Sequence, residues 1–305
     1  MKNIVVDLGN FNVKYYGTRT GNFSSKFKPA SGTLSDKYET IRIENKEYYM
    51  EVGKYNKEAS KTKKNYLPNL LLALLKAEGL DTNKEFSYEG ENAAEPLKVS
   101  LCMLLPVDQM DEKQKYIDDL QDNIFDFEYK SKRRIVEIHN VKVVPEGYAS
   151  FLTLSKEDMK GLISVFDIGS RTCNYVKIFN GKMQDSATLN NIGSFRFYDY
   201  VKEVCKEDGK NYADDKIPML IETGKITFEQ VELGKAKYFT ELINDIKGTD
   251  DLAENNRVLF TGGMANIIRT ELESCCDDTD IIVIEDCVNS NVNGCAKMMG
   301  LIKVE

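Results

Sequence analysis

Two stretches of the chain, residues 4–16 and 162–179, share one pattern of hydrophobic and polar positions. Each begins with an apolar run rich in β-branched residues that leads to an aspartate, Asp7 in the first and Asp167 in the second. An apolar residue and a glycine follow in both, and a second extended run begins a few residues later. Apolar runs of this kind, broken by small residues, are typical of buried strands joined by a turn. The pattern therefore predicts two β-hairpins, each of which delivers one aspartate into a small-residue turn.

The two aspartates lie 167 − 7 = 160 positions apart, about half of the 305 residues. A repeat at half the chain length indicates a duplicated domain with two hairpins that face one ligand. Glycine lets backbone approach a ligand, exposed N–H groups bind phosphate oxygens, and a carboxylate can hold Mg²⁺ or its waters. We therefore expect a phosphate and metal site built from both hairpins. For either stretch alone, an ordinary hairpin with a surface aspartate is the alternative.

The rest of the chain shows the alternation of helical and strand periodicity that predicts an α/β protein. Residues 21–65 predict a small peripheral β subdomain, and a leucine-rich face predicts a helix from about residue 65. Further strands are predicted at 97–105, 135–144, 257–260 and 281–284, and further helices at 108–124, 195–205, 211–222, 228–247, 267–273 and 293–301. This organisation predicts two lobes, 1–160 and 161–305, with a helical subdomain at about 195–250. It leaves open whether the C-terminal helix returns to the first lobe.

Two junctions between predicted strands and helices carry further candidate chemistry. Glu146 follows Pro145 at one of them, where a carboxylate can orient a water molecule or, as the alternative, stabilise a helix N-terminus. Residues 261–266 form a glycine turn between a strand and a helix, where backbone can lie against a ligand. The sequence contains neither a P-loop nor a dinucleotide fingerprint, so the phosphate site is expected to come from the two hairpins.

Charge and cysteine content narrow the classes of function. A formal net charge of −8 argues against a large basic surface for nucleic acid or for an anionic membrane. The seven cysteines are odd in number and have no paired CxxC spacing, which favours a reducing cytoplasm over a disulfide framework or a zinc site. The single histidine, His139, excludes a multi-histidine metal centre. We expect a cytoplasmic protein without direct contact to nucleic acid or membrane.

Taken in order, five segments resemble the signature motifs of the actin, sugar-kinase and heat-shock-70 ATPase superfamily. Residues 7–14 look like the first phosphate segment, residues 144–149 like the first connecting segment and residues 167–172 like the second phosphate segment. Residues 261–265 look like the adenosine segment, and residues 289–294 like the second connecting segment. The resemblance covers nearly the whole chain. It implies a duplicated, ribonuclease-H-like actin fold with two lobes and the nucleotide in the cleft between them. Within the superfamily, the short chain resembles plasmid-segregation actins of the ParM type, including the divergent clostridial ones.

The resemblance also implies roles for individual residues. Asp7 and Asp167 would hold Mg²⁺ and its waters, and Lys14 would pair with the nucleotide phosphates. The catalytic residues would be Asp167 and Glu146, of which Glu146 would orient the attacking water. The residues that would wrap the β- and γ-phosphates are Gly9, Asn10, Phe11, Asn12, Gly169, Ser170, Arg171 and Thr172. The residues that would border the purine and the ribose are Gly262, Gly263, Met264 and Glu229. Asn10, Arg171 and Met264 depart from the family pattern, which leaves nucleotide preference and hydrolysis rate open.

The implied function is a filament-forming ATPase, or GTPase, that drives plasmid segregation through an adaptor protein bound to DNA. Its partners would be further copies of itself and the adaptor. Two alternatives from other classes remain. One is a small-molecule kinase of the same superfamily, of the sugar or acetate type. The other is a scaffold that polymerises with bound nucleotide and does not hydrolyse it.

Overall fold

The computed structural model describes residues 1–31, 37–56, 58, 60–81, 96–276 and 279–302. The chain divides into two compact units. Unit 1 comprises Met1–Thr153 and the C-terminal segment from Asn291, and unit 2 comprises Leu154–Ser290. The sequence placed the boundary seven residues later, after residue 160.

Unit 1 is built on a mixed sheet to which nine strands contribute within the described ranges. These strands are β1 (Lys2–Leu8), β2 (Asn12–Tyr16), β3 (Thr20–Ser24), β4 (Phe27–Pro29), β5 (Thr40–Ile43), β6 (Lys46–Met50), β7 (Leu97–Leu105), β8 (Asn123–Tyr129) and β9 (Lys132–Pro145). Their order across the sheet is β3-β2-β1-β7-β9-β8-β5-β6-β4. Strands β1, β7 and β9 run parallel, so their carboxyl ends meet at one edge.

The helices of unit 1 cover this sheet. They are α1 (Leu67–Glu78), α2 (Lys113–Leu120), the single turn α3 (Tyr148–Phe151) and, except for its first residue, α9 (Ser290–Met298). Helix α1 is rich in leucine and alanine, carries Pro68 in its first turn and ends at Gly79 with φ 72°. Residues 70–75 of this helix are buried in the core of unit 1, as the leucine pattern predicted.

Unit 2 has a second sheet with helices packed against it. Its strands are β10 (Leu162–Ile168), β11 (Thr172–Phe179), β12 (Lys182–Asn190), β13 (Arg257–Thr261) and β14 (Asp280–Val283). Its helices are α4 (Ser194–Glu207), α5 (Ile217–Glu222), α6 (Phe228–Thr249), α7 (Gly263–Ile267) and α8 (Arg269–Glu273). The strand order is β12-β11-β10-β13-β14, with β10, β13 and β14 parallel. The two layered units confirm the predicted α/β class.

Local chemistry fixes the longest helix of unit 2. The Thr227 hydroxyl accepts a hydrogen bond from the Gln230 backbone N–H, and the Gln230 side chain accepts one from the Thr227 N–H. This capping box starts α6 at Phe228. Further along, Gly234 lies so close to α4 that an added Cβ would stand 2.7 Å from Val201 Cγ2. The two helices therefore pack with almost no space between their backbones.

Several predicted element boundaries were wrong. The helix predicted at 108–124 ends at Leu120, because Gln121 is extended with ψ 138°; Asp122 then takes a left-handed conformation with φ 58°, and the chain continues as β8. The helix predicted at 211–222 begins only at Ile217, where Pro218 occupies the first turn. Strand β12 pairs with β11 and was not predicted. Within the described residues, no helix is long and apolar enough to span a membrane.

Candidate functional site

The two predicted hairpins are confirmed, and their registers match. In the first hairpin Asp7 on β1 pairs with Lys14 on β2. In the second hairpin Asp167 on β10 pairs with Asn174 on β11. Each aspartate precedes the last residue of its strand, and each partner lies seven positions further along the chain. The sequence repeat is therefore a repeat of backbone geometry as well.

The turn of the first hairpin is held tightly. A Cβ on Gly9 would stand 2.3 Å from the carbonyl oxygen of Asn12, so the turn requires glycine. Ser25 holds the turn with two hydrogen bonds. Its hydroxyl donates to the Asn10 carbonyl at 2.6 Å, and its N–H donates to the Phe11 carbonyl at 3.0 Å. The Phe11 ring stacks on Tyr55, with ring centroids 4.7 Å apart. These contacts fix the backbone of the loop proposed to wrap phosphate.

Asp7 is buried, 4% exposed, and is surrounded by ammonium groups. Its Oδ1 accepts from Lys61 Nζ at 2.7 Å, and its Oδ2 lies 3.5 Å from Lys14 Nζ. Burial opposes the charged form, yet the attraction of Lys61 and Lys14 prevails and lowers the pKa of Asp7 to about 2. Asp7 is therefore an ionised carboxylate inside the protein.

Lys61 also bonds the Glu146 carboxylate, so one buried ammonium bridges the two acidic residues proposed for metal and for water. Burial would lower the pKa of Lys61, but Asp7 and Glu146 raise it above its usual value. The backbone of Lys61 is fixed by two side chains: its N–H donates to Gln109 Oε1 at 2.9 Å, and its carbonyl accepts from the Tyr116 hydroxyl at 3.1 Å. The position of this ammonium is thus set by the fold of unit 1.

A second lysine of the same segment approaches the first hairpin. Lys64 Nζ donates to the Leu8 carbonyl at 2.8 Å and lies 3.4 Å from Asn10 Oδ1. Neither Lys61 nor Lys64 was predicted as a site residue. The sequence signal was a cluster of three lysines in four positions, at 61, 63 and 64, and nothing in it indicates which of the three turns inward.

Glu146 lies at the corner after β9 and is 8% exposed. Its N–H donates to the Leu105 carbonyl at 2.8 Å, which continues the β7–β9 pairing through the corner. The next residue, Gly147, has φ 75° and donates its N–H to Asn291 Oδ1 at 3.1 Å. The helix that follows, α3, has only four residues, and Glu146 bonds Lys61 instead of standing in solvent. This geometry disfavours the alternative of a solvated helix-start residue.

The two connecting segments lie against each other within unit 1. Asn291 accepts from the Gly147 N–H and from the Ser150 hydroxyl, the latter at 2.7 Å. Gly294 lies directly on the chain at Ala149, where a Cβ on the glycine would stand 1.7 Å from the carbonyl oxygen. The C-terminal helix therefore buttresses the Glu146 corner.

The turn of the second hairpin is fastened to the start of α4. Gly169 donates its N–H to the Thr172 carbonyl at 2.9 Å, and the Ser170 carbonyl accepts from the Phe195 N–H at 2.9 Å. Arg171 extends over the Phe195 ring, with its guanidinium carbon 5.8 Å from the centroid. Residues 169–172 are half-buried, so this turn keeps an accessible side.

Asp167 is 5% exposed and lies against the glycine turn after β13. Gly262 has φ 88°, and a Cβ there would stand 2.4 Å from the Ile168 carbonyl oxygen and 2.6 Å from Asp167 Oδ1. A Cβ on the exposed Gly263 would meet nothing within 4 Å. The second phosphate turn and the adenosine segment are thus in contact within unit 2.

Two residues predicted to contact the purine and the ribose, Met264 and Glu229, differ in exposure. The Met264 side chain is fully buried in the core of unit 2, and its place beside the purine stays a prediction. Glu229 is exposed in the first turn of α6. Its contact with a ribose stays a prediction.

The carboxylates of the site fit Mg²⁺ only as single ligands that share the metal with phosphate and water. Among the described residues no three of His, Cys, Asp or Glu cluster closely enough to hold a metal by themselves. Mg²⁺ is commonly bound through one or two carboxylates and the substrate phosphates, with water completing its shell. Ionised Asp7 supplies such a carboxylate in unit 1, and Asp167, beside a glycine that leaves room at its Oδ1, supplies one in unit 2.

Comparisons with known proteins agree with the fold. Residues 5–148 match the family described as the N-terminal domain of actin-like proteins. The fold matches Ta0583, an archaeal actin homolog, in its complex with ADP, with a TM-score of 0.79 and 16% identity over 99% of this chain and 100% of the other. It matches a ParM in a 15-stranded filament from Clostridium botulinum with a TM-score of 0.75 and 18% identity over 99% of both chains.

The filament structure of AlfA from a B. subtilis plasmid matches with a TM-score of 0.62 and 18% identity over the full length of both chains. Among curated protein sequences, none matches this chain significantly. At these identities the structural likeness establishes the fold, and the family match covers the N-terminal part.

Proposed function

We propose a function from the premise that residues 5–148 match the N-terminal domain of actin-like proteins and that the whole chain has the actin-like fold. The protein binds ATP, or GTP, with Mg²⁺, polymerises in the nucleotide-bound form and hydrolyses the nucleotide. Hydrolysis then weakens the filament. The observation that carries this proposal is the pair of matched hairpins, each with a buried aspartate at the same position beside a glycine turn.

Both hairpins contribute to phosphate binding. In the first, the constrained turn after Gly9 offers backbone N–H groups, and Lys14 places an ammonium beside Asp7. In the second, the Gly169 turn offers a half-buried backbone whose carbonyls are engaged elsewhere. Turns of this kind with exposed N–H groups bind anions. The backbone of Gly262 and Gly263 is the proposed neighbour of the base.

Asp7 and Asp167 are the residues that would hold Mg²⁺ or its waters. Mg²⁺ supplies charge neutralisation between the phosphate oxygens when it is bound. The low pKa of Asp7 keeps this carboxylate ionised at any physiological pH, which suits a metal ligand. Lys14 and the hairpin N–H groups then orient the phosphates relative to the two carboxylates.

Glu146 orients the water that attacks the terminal phosphate. Its carboxylate is held in place by the bond from Lys61 and by the rigid corner between β9 and α3. A carboxylate in a fixed position can accept a hydrogen bond from water and direct one lone pair at phosphorus. Because this contribution falls mainly in the transition state, Glu146 acts on hydrolysis and much less on binding.

Filament formation by structural neighbours supports self-association of this chain. We further propose that the filament segregates plasmid DNA through a DNA-binding adaptor protein. The formal charge of −8 suits such an indirect link better than direct binding to DNA. A cytoplasmic location remains the proposal drawn from cysteine content.

Nucleotide binding by an Asp167 variant tests the use of both hairpins. Isothermal titration with ATP and Mg²⁺ should show affinity reduced at least tenfold in Asp167→Asn, because the variant lacks the carboxylate charge. Asp185→Asn removes the same charge from an exposed position on β12 and should bind like the original protein. If Asp167→Asn binds ATP with unchanged affinity, the second hairpin has only a structural role.

A further inference from the structure

The Lys61 ammonium is buried in unit 1, and the proposed function leaves it without a direct role at the nucleotide. The residue is 4% exposed and reaches Asp7 and Glu146 from a segment 54 positions after Asp7. Burying an ammonium is unfavourable unless it is paired, and here it is paired with two carboxylates that are both proposed site residues.

We propose that Lys61 is a further nucleotide-binding residue, whose ammonium contacts the terminal phosphate of a bound nucleoside triphosphate. This inference rests on the proposed function. It adds the segment before α1 to the phosphate site, in addition to the two hairpins. It assigns that segment to the terminal phosphate, which a triphosphate has and a diphosphate lacks.

Position is the first argument. A residue that orients the attacking water must lie within one water molecule of the terminal phosphate. Lys61 is bonded to that residue, Glu146, and on its other side to Asp7, the proposed metal ligand. The ammonium therefore stands where the terminal phosphate, the water and the metal would converge. The preceding phosphate lies farther from Glu146, because the water attacks from the side opposite to it.

Donor capacity is the second argument. An ammonium has three N–H donors and no acceptor. Within the part of the chain that the structure describes, Lys61 donates to two carboxylate oxygens, one from Asp7 and one from Glu146. A third donor is available for a phosphate oxygen. If Asp7 held a metal ion, the Lys61 N–H that it now accepts would be available as a second donor.

Local charge is the third argument. Three ammonium groups, those of Lys14, Lys61 and Lys64, surround the first hairpin, while two carboxylates, Asp7 and Glu146, lie among them. Among these five groups of unit 1 the ammonium groups outnumber the carboxylates by one. An anion with several oxygens completes their balance, whereas a neutral ligand would not.

The test measures ATP and ADP affinities in a Glu146→Gln background, which slows hydrolysis and allows equilibrium binding of ATP. Lys61→Met is added to this background. The double variant lacks both the Lys61 ammonium and the Glu146 carboxylate, so Asp7 is the buried carboxylate that remains, and it keeps Lys14 as its partner. Lys63→Gln in the same background is the matched control. Its ammonium is exposed and lies two residues away on the same segment.

The Lys61→Met change should weaken ATP binding roughly 10- to 100-fold, the effect of one hydrogen bond to a charged group. ADP binding should change less than about threefold, and the Lys63→Gln control should bind both nucleotides as its background does. Equal weakening for ATP and ADP, or no weakening for either, would overturn the proposal and leave Lys61 as an internal counter-ion of Asp7.

Two further results keep the test decisive. If Lys61→Met unfolds in circular dichroism, Lys61→Arg keeps the buried charge but presents a planar fork in place of a point charge. It should then lower the ratio of ATP to ADP affinity severalfold, and an unchanged ratio would overturn the proposal. If the original protein binds neither nucleotide, the proposed function fails together with this inference. If only the inference about Lys61 fails, the original protein still binds nucleotide.

Discussion

Lys14 lies directly across the first hairpin from Asp7, with its ammonium 3.5 Å from the carboxylate. The same register in the second hairpin pairs Asp167 with Asn174, which is buried and accepts a hydrogen bond from the Thr188 hydroxyl at 3.1 Å. The two hairpins therefore share backbone geometry and an aspartate, but differ in charge at the opposite position. The first hairpin carries a cation there and the second carries a neutral amide.

Lys14→Gln should weaken nucleotide binding by roughly 10- to 100-fold, because one hydrogen bond to a charged phosphate is lost. Isothermal titration with ATP and Mg²⁺ measures the change. Lys98→Gln is the control, since this lysine lies on β7 in the same unit with an exposed side chain. Equal affinities of the Lys14 variant and the original protein would show that the ammonium serves only Asp7.

Glu146→Gln should lower the hydrolysis rate by roughly 10²–10⁴-fold, the usual contribution of a positioned acid–base group. Binding of ATP should change little, because the carboxylate acts mainly in the transition state. Filaments of the variant should persist after the original protein has disassembled. Phosphate release and filament lifetime, recorded side by side, check this. Hydrolysis at the original rate would leave the water-orienting group unidentified.

Gly262→Ala should destabilise unit 2 by roughly 1–3 kcal/mol, because the glycine has φ 88° and a Cβ would meet the Ile168 carbonyl oxygen and Asp167 Oδ1. Gly263→Ala is the matched comparison for stability, since a Cβ there meets nothing within 4 Å. Urea unfolding of both variants measures the difference. If the two alanines cost the same free energy, the close contact with Asp167 is wrong.

Acid unfolding tests the charged state of Asp7. Its pKa in the folded protein is about 2, below the usual 3.8, so its ionised form stabilises the fold at any pH above about 4. That contribution, about 2 kcal/mol, is lost as the pH falls from about 4 to about 2. Asp7→Asn should be less stable at neutral pH and should lose less free energy of unfolding over this interval. Parallel pH profiles for both proteins would contradict the low pKa.

The parts of the site that follow from short-range pattern could be predicted. Asp7 and Asp167 stand in two equal patterns of apolar residues and glycine, and a strand–turn–strand geometry is set by neighbours within a few positions. The corner at Glu146 is set in the same way by Pro145 and Gly147. Such local signals were sufficient to place these three carboxylates at the ends of buried strands.

Features that depend on distant contacts could not be predicted. Lys61 is buried because Gln109 and Tyr116, about 50 residues away, fix its backbone, and no local pattern records this. Met264 occupies a glycine position of the family motif, yet tertiary packing places it in the core. The predicted helix at 108–124 runs two residues into strand β8 (Asn123–Tyr129), whose structure is decided by its pairing with β5 and β9.

Nucleotide-dependent assembly tests the central claim most directly. Purified protein with Mg²⁺ should be sedimented with ATP, with GTP and without nucleotide, and each sample viewed by electron microscopy. The account predicts that at least one triphosphate moves the protein into the pellet as filaments and that the sample without nucleotide stays in the supernatant. A protein that remains monomeric at high concentration with either triphosphate would contradict the account and favour a small-molecule kinase on the same fold.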